Sequence, residues 1–214
     1  SRGLGDVYKR QEFDWEDFDE LFDYCEGRIK CFASVWDRDS VDFMAEYTSI
    51  AKIPSALITN RKLCCYARDK FDTLIISTGM STEQDIEKCV YACDPDIIMH
   101  TNSTYPSPIE ELNLKYINYL KDKWGYPVKI GYSGHEYGLT TTFAAVAMGA
   151  SWVERHITLD RTMWGSDHLA SIEPQGLRKL VKGIRDIEKA MGQEGPRVIA
   201  GGEVEKLKTL RGKK

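Results

Sequence analysis

Two histidines stand at the far ends of neighbouring apolar runs. The chain has four histidines; His135 follows the run that ends in IGYSG, and His156 follows SWVER. Two neutral imidazoles on adjacent strand ends can bind a divalent metal and leave positions open for water or substrate. Two ligands are too few for a closed structural site, so this arrangement favours an open catalytic metal site. The alternative is that each histidine is a hydrogen-bonded loop residue.

A lysine and several hydroxyls also follow apolar runs. Lys52 lies in AKIPSA, where a lysine is rare unless it is paired, so an anionic ligand or a carboxylate partner is expected. Hydroxyls that could donate to phosphate or carboxylate oxygens occur at Ser55, Ser77, Ser103 and Ser133. Each of these serines alone is more typical of a turn residue. Only their shared location at the ends of apolar runs favours a role in binding an anion. His100 lies inside a run and is more typical of a core histidine.

The elements that must position these residues alternate along the chain. Strand-like runs with nearly continuous apolar positions, typical of strands covered on both faces, occupy 28–36, 49–56, 73–79, 96–102, 127–134 and 151–158. Helical patterns occupy 39–48, 60–71, 82–93, 108–123, 139–149 and 174–191. Repeated βα units of this kind predict a parallel α/β fold.

The positions of the polar residues favour one form of that fold. The sequence contains no G-x-G-x-x-G motif and no P-loop, which weakens the case for a nucleotide-binding, doubly wound sheet. Polar residues recur instead at the C-terminal ends of the runs, which converge on the mouth of a barrel. We therefore predict an incomplete (β/α)8 TIM barrel, with about six of the eight βα units present.

Composition excludes several classes of partner. The formal net charge is -4, which gives no general attraction for nucleic acid or for an anionic membrane. No apolar run is long enough to span a membrane, and no signal-peptide pattern opens the chain. The six cysteines lack metal-type spacing and are typical of reduced thiols. These features predict a cytoplasmic protein.

Six motifs in order give the chain a specific resemblance. The segments KIPSALITN, IISTGMST, HTNSTYPSPIEELNL, IGYSGHEYG, GASWVERHITLDR and GSDHLASIEP resemble the sialic acid synthase family over about residues 29 to 192. This resemblance implies a metal-dependent enzyme of (β/α)8 fold, using Mn²⁺ or Mg²⁺. It would condense phosphoenolpyruvate with N-acetylmannosamine or a related amino sugar, and a homodimer fits the full-length form.

The resemblance also implies roles for individual residues. His135 and His156 match the metal-binding segments. Lys52, with Ser55, Ser77 and Ser133, matches contacts to phosphoenolpyruvate, and Ser103 stands where some members carry asparagine. Positions on the sugar side match Tyr105, Glu154 and Asp167. Lys52 and Glu154 are the residues expected to take part in catalysis.

Two departures from the family pattern affect these expectations. Leu57 replaces a glutamate that some members carry, and this bears on the sugar substrate. The family's first two strand motifs and its C-terminal antifreeze-like domain are absent, so we expect the chain alone to be inactive.

The chain divides into three predicted segments, and two other functions are compatible with its sequence. We expect residues 1–11 to be a non-native leader, 12–192 a partial synthase domain and 193–214 a short tail. The alternatives are another phosphoenolpyruvate-dependent synthase of 3-deoxy sugar acids, or a non-catalytic barrel fragment that binds an anion or a partner.

Overall fold

Five parallel strands form the sheet that positions the candidate site. The structure is a computed structural model that describes residues 13–211, so the expected leader lies outside the described residues. Within that range the strands pair in sequence order. Their bounds are β1 (Ile50–Ile53), β2 (Thr73–Ser77), β3 (Ile97–Thr101), β4 (Lys129–Gly134) and β5 (Trp152–Arg155).

Helices precede, separate and follow these strands. Their bounds are α1 (Trp15–Cys25), α2 (Arg38–Tyr47), α3 (Arg61–Lys70), α4 (Glu83–Cys93), α5 (Tyr116–Trp124), α6 (Thr140–Ala147), α7 (Pro174–Met191) and α8 (Gly201–Leu210). Side chains cap the first turns of several of them; Thr82 and Asp85, for example, form a reciprocal capping box at the start of α4. Short 3-10 turns occupy Ser55–Leu57, Ile109–Glu111 and His168–Ala170.

The predicted elements differ from the structure in three places. The run 28–36 forms no strand: its only pairing is a parallel bridge from Ser34 to Lys52, and Ile29 is exposed. The helix predicted over 108–123 is interrupted, because Asn113 takes a left-handed conformation with φ 44° that a helix cannot continue through. Helices α1 and α8 were not predicted, and the second lies in the expected tail.

Alternation along the strands separates the sheet into two faces. The residues of one face join the main core together with buried residues of α2 to α6, among them Val41, Leu63, Val90, Ile117 and Ala145. Residues of the opposite face form a small second cluster: Ile50, Ile75, Ile97 and Met99, with Trp152 against them. Because α2 to α6 all pack on the first face, the sheet has the layering of a barrel wall rather than of a doubly wound sheet.

The inner face, defined by that second cluster, contains the polar residues singled out by the sequence. Side chains on a strand alternate between faces, so residues two apart share one face. Lys52 follows Ile50 by two, Ser77 follows Ile75, and Glu154 follows Trp152. Ser133 pairs directly with Glu154 in the β4–β5 register. Strand parity therefore directs all four polar groups to the concave side.

One row across the inner face is tightly packed. Gly131 pairs with Met99 on one side and with Trp152 on the other. A Cβ added at Gly131 would lie 2.3 Å from Met99 Sδ and 2.9 Å from Trp152 Cβ. The glycine is needed here because its two neighbours fill the space that a side chain would take.

Two further features complete the fold. All six cysteines are free thiols, and three of them, Cys64, Cys89 and Cys93, are buried between α3 and α4. Among the helices of residues 13–211, none combines the length and apolar character that crossing a bilayer requires.

Candidate active site

The centre of the site is an ion pair between the first and last strands of the sheet. Lys52 Nζ lies 2.6 Å from Glu154 Oε1, and the Ser133 hydroxyl donates to the same oxygen at 2.8 Å. The paired carboxylate that the lysine was expected to have is therefore Glu154. One carboxylate oxygen accepts both bonds, so the second oxygen of Glu154 is available to a ligand.

This environment keeps Glu154 ionised. Burial alone would raise the pKa of the Glu154 carboxyl, but the Lys52 charge, aided by hydrogen bonds from Lys52 and Ser133, outweighs it and lowers the pKa below its usual value of 4.5. Glu154 is thus an anion at neutral pH, able to accept a proton or a hydrogen bond.

A group of hydroxyls surrounds Gly79 at the end of β2. The Gly79 N–H donates to Ser55 Oγ at 3.1 Å. A Cβ added at Gly79 would lie 2.0 Å from Ser103 Oγ and 2.8 Å from Ser55 Oγ, so both hydroxyls close on the glycine. The Ser77 hydroxyl is buried and has no hydrogen-bond partner among the described residues. Buried polar groups are normally satisfied, which suggests an oxygen-rich ligand for this hydroxyl.

His135 is held in one tautomer at the end of β4. Its Nδ1–H donates to the Asn102 carbonyl at 2.6 Å, since a carbonyl oxygen can only accept. The lone pair is then on Nε2. Burial, aided by the neighbouring charges of His156 and Lys52, lowers the pKa of His135 below its usual value of 6.5. The imidazole is neutral, which is the form that binds a metal.

His156 lies beside His135 and has a carboxylate partner. The two ring centroids are 5.1 Å apart at an interplanar angle of 77°, and His156 Nδ1 is 3.5 Å from Asp167 Oδ2. A carboxylate beside Nδ1 orients the ring and favours a lone pair on Nε2. The centroid of the Tyr105 ring lies 4.2 Å from that of His135 and 5.4 Å from that of His156, so Tyr105 contacts both rings.

These features fit a divalent metal of the open kind. Both histidines have a partner at Nδ1 and a free Nε2, as histidine ligands usually do. No group of three or more His, Cys, Asp or Glu side chains in residues 13–211 could hold a metal, so the described chain offers two ligands only. An ion bound there would take its other ligands from water or substrate.

The structure thus places all the predicted site residues at the C-terminal ends of the strands or in the loops that follow them. Lys52, Ser133 and Glu154 are bonded to one another, Ser55 and Ser103 meet at Gly79, and the remaining predicted positions line the same mouth: Ser77, Tyr105, His135, His156 and Asp167. Burial, with the charges of Asp167 and Glu154, raises the pKa of the Tyr105 phenol above its usual value of 10.0. His100 is a core residue as predicted, and its Nε2 contacts the Leu112 carbonyl at 2.7 Å.

Sequence reasoning missed the residues behind the histidines. Glu136 is fully buried and pairs with Arg155 at 3.1 Å, and Asn102 orients His135 through its backbone. The sequence shows that Glu136 and Arg155 each adjoin a predicted metal ligand, but it does not show that the two are buried together.

The fold and the polar mouth together define a (β/α)-barrel-type protein with a candidate site at the C-terminal ends of its strands. The chain belongs to the NeuB family, whose model matches residues 1–195. The resemblance drawn from the sequence is therefore confirmed.

Relatives of known sequence agree with this assignment. The chain is 38% identical over 172 residues to N,N'-diacetyllegionaminic acid synthase of Campylobacter jejuni, covering 77% of this chain and 51% of the relative. It is 36% identical over 194 residues to the human N-acetylneuraminate-9-phosphate synthase, covering 88% and 54%. The chain therefore spans about half the length of the relatives it matches.

Solved structures share the fold. N-acetylneuraminic acid synthetase from Leptospira borgpetersenii superposes with a TM-score of 0.85 at 34% identity, covering 96% of this chain and 74% of the other. A truncated 3-deoxy-D-arabino-heptulosonate 7-phosphate synthase from Thermotoga maritima gives a TM-score of 0.71 at 14% identity, covering 86% and 75%. The second comparison shows a common fold alone.

Proposed function

We propose that the protein condenses phosphoenolpyruvate with N-acetylmannosamine or a related amino sugar, giving a sialic-acid-type nonulosonic acid and phosphate. The observation that carries the proposal is the convergence of Lys52, Ser133 and Glu154 with the paired rings of His135 and His156 on one mouth. Several relatives are named as synthases of legionaminic, neuraminic or pseudaminic acids, which supports the same reaction class. That the chain is an incomplete part of a (β/α)8 barrel, that it is cytoplasmic and that its full-length form is a homodimer stay predictions.

Phosphoenolpyruvate would bind where the cation and the hydroxyls meet. Lys52 supplies the charge for its phosphate or carboxylate, and Ser55, Ser77, Ser103 and Ser133 supply donors. The unpaired Ser77 hydroxyl is the strongest single support, because a buried donor without a partner has most to gain from a ligand oxygen. This set fixes the position of the enol carbon before reaction, which is where positioning lowers the barrier.

The sugar would bind on the histidine side of the mouth. His135 and His156 would hold Mn²⁺ or Mg²⁺ through Nε2, and Asp167 and Tyr105 border them. When bound, the ion supplies Lewis acidity that polarises the sugar aldehyde. Carbon 3 of phosphoenolpyruvate forms a bond to the aldehyde carbon, whose oxygen takes up a proton. Water adds at carbon 2, and the C–O bond to phosphate then breaks to leave the keto acid.

Glu154 is placed to handle the proton of the attacking water. It is ionised and has one oxygen outside the Lys52 and Ser133 contacts. A carboxylate in this position can orient the water and accept its proton as the C–O bond forms. The Lys52 ammonium beside it stabilises the negative charge that the departing phosphate carries.

The experiment is a paired assay of phosphate and product. A form of the protein completed to the length of its relatives is incubated with Mn²⁺, phosphoenolpyruvate and N-acetylmannosamine, and inorganic phosphate and the mass of the new acid are measured together. The proposal expects both to form in equal amounts and only when all three components are present. Legionaminic- and pseudaminic-type precursors replace the sugar in parallel reactions to identify the acceptor. Phosphate release that is independent of every sugar tested would contradict the proposed condensation.

A further inference from the structure

A buried ion pair lies directly behind the two histidines. Glu136 follows His135 in the chain, and Arg155 precedes His156. The side chain of Glu136 is 0% exposed and that of Arg155 is 2% exposed. Strand parity places Arg155 on the outer face of the sheet, opposite to Glu154. The pair is therefore separate from the mouth that would bind substrate.

Every oxygen of the buried carboxylate has a donor. Glu136 Oε1 accepts from Arg155 Nη1 at 3.1 Å, from the Thr141 hydroxyl at 2.6 Å and from the Thr142 hydroxyl at 3.2 Å. Glu136 Oε2 accepts from the Tyr132 hydroxyl at 2.9 Å. The two threonines belong to the first turn of α6, where the helix dipole also favours an anion. The carboxylate thus links β4, β5 and α6.

The guanidinium also holds the backbone that follows His135. Arg155 Nη2 donates to the Glu136 carbonyl at 2.6 Å, and Nη1 donates to the Gly138 carbonyl at 2.8 Å. These bonds fix the loop after β4 to the last residue of β5. Arg155 directly precedes His156 in the chain. Its side chain therefore fixes the loop that follows His135 relative to the strand that ends beside His156.

Such a connection is not needed for stability alone. Replacing a buried ion pair by apolar side chains of similar volume is often neutral or stabilising. A two-ligand metal site, in contrast, has no redundancy, and its ligands must be held within about 0.5 Å of the productive geometry. A rigid hydrogen-bonded network behind the ligands supplies that accuracy, whereas flexible apolar side chains would not.

We infer that Glu136 and Arg155 are positioning residues that set the spacing of His135 and His156 for a divalent ion. The inference rests on the proposed metal site. It extends that site to a buried layer that contacts neither substrate nor metal. The prediction is that this layer controls metal affinity without supplying a ligand.

The first test measures Mn²⁺ affinity in the full 214-residue chain. Free Mn²⁺ is followed by electron paramagnetic resonance during titration of the unmutated chain and of Arg155→Met, and urea unfolding is measured without metal. Arg155→Met is expected to weaken Mn²⁺ binding by roughly tenfold to a hundredfold, the range for residues that orient metal ligands. An unchanged affinity in a folded Arg155→Met chain would overturn the inference.

A matched control separates positioning from stability. Arg68 likewise pairs with a carboxylate, Asp96, at 2.7 Å and donates to backbone carbonyls, but Asp96 immediately precedes β3 and so lies at the opposite edge of the sheet. Arg68→Met is expected to lower stability and to leave Mn²⁺ affinity unchanged. Should Arg155→Met fail to fold, the double variant Glu136→Met with Arg155→Met removes both charges and keeps the volume. It is expected to fold and still to bind Mn²⁺ weakly.

A second readout needs no metal. The ring ¹⁵N signals of His135 report its tautomer, which the hydrogen bond to Asn102 fixes. We expect one tautomer in the unmutated chain and in Arg68→Met, and a mixture in the double variant. If the unmutated chain binds no Mn²⁺, the proposed metal site is wrong, and the ring signals alone then decide whether the pair positions the histidines. Unchanged signals in the double variant would refute the positioning role.

Discussion

Lys52 and Glu154 are in contact at 2.6 Å although they are 102 residues apart and lie on β1 and β5, the two ends of the strand order. In a flat sheet, four strand spacings of roughly 4.8 Å would separate them by about 19 Å, beyond the combined reach of the two side chains. The ion pair therefore requires the sheet to curl strongly. Its curvature is what brings the ends of the first and last strands to one site.

The first prediction concerns the charge of Lys52. Lys52→Met keeps the packing of the aliphatic stem but removes the cation, so the dissociation constant for phosphoenolpyruvate should rise by roughly tenfold or more. Isothermal titration calorimetry measures it. Lys70→Met is the matched control, because Lys70 pairs with Asp42 on the helical surface. Identical titrations for the unmutated chain and Lys52→Met would contradict the assignment of the anion site.

The second prediction concerns the metal. His135→Ala and His156→Ala should each reduce Mn²⁺ affinity by about a hundredfold, because a site with two protein ligands cannot compensate for losing one. His168→Ala is the control, since its Nδ1 contacts the Thr158 hydroxyl. Equal Mn²⁺ binding by all three variants would place the ion elsewhere. Excess chelator should also abolish any turnover, and full activity in its presence would be an equally clear contradiction.

The third prediction concerns the space around Gly79. The Cβ of Gly79→Ala would displace the Ser103 hydroxyl, which lies 2.0 Å from that position. The chain should stay folded because a hydroxyl can rotate away, but phosphoenolpyruvate affinity should fall by roughly tenfold, as for other misplaced methyl groups in binding pockets. Gly202→Ala, where a Cβ meets open space, serves as the control. A larger effect on urea unfolding than on ligand affinity would indicate a structural role instead.

The fourth prediction concerns pH. Burial lowers the pKa of His100 below 6.5, so below pH 6.5 the unfolded chain binds the proton that the folded chain excludes. The free energy of unfolding should therefore fall as the pH drops below 6.5 and stop responding once the pH passes below the folded pKa. In His100→Gln this part of the pH dependence should be absent. Urea unfolding between pH 7.5 and about 5 measures it, and parallel curves for both chains would refute the prediction.

The fifth prediction concerns turnover by the curled five-stranded sheet. Beyond β1 the described chain pairs only through the bridge between Ser34 and Lys52, so among residues 13–211 β1 has a full strand neighbour on one side only. We propose that the 214-residue chain turns over far more slowly than a chimera completed with the parts of the Campylobacter jejuni relative that lie outside the matched region. Initial rates of phosphate release compare the two. Equal rates would show that the five strands suffice.

Much of the fold could be predicted because the strands alternate between two apolar environments. Five of the six predicted runs contain strands, and α7 has the predicted bounds 174–191. The strand predicted over 28–36 was wrong. An apolar run becomes a strand only where another strand is available to pair with it, and residues such as Ile29 stay exposed. The break at Asn113 in the helix predicted over 108–123 depends on a left-handed backbone conformation. Asparagine favours this conformation but does not require it.

The candidate site was predictable to the extent that strand ends determine it. Parallel strands place their C-terminal residues at one edge, so Lys52, Ser133 and Glu154 could be grouped before any coordinates. The bond between Lys52 and Glu154 could not, because it depends on how strongly the sheet curls. Glu136 and Arg155 were missed for another reason: charged residues usually lie in solvent, and only the structure shows that these two are buried together.

The row of Met99, Gly131 and Trp152 has a consequence for how such chains diverge. Because the glycine exists to make room for two large neighbours, no side chain can be gained at Gly131 unless Met99 or Trp152 becomes smaller. Across related sequences the three positions should change together, with bulk at one offset by loss at another. If the total volume of the three side chains is conserved, their identities can change during evolution. The distance between Ser133 and Glu154 at the mouth then stays the same.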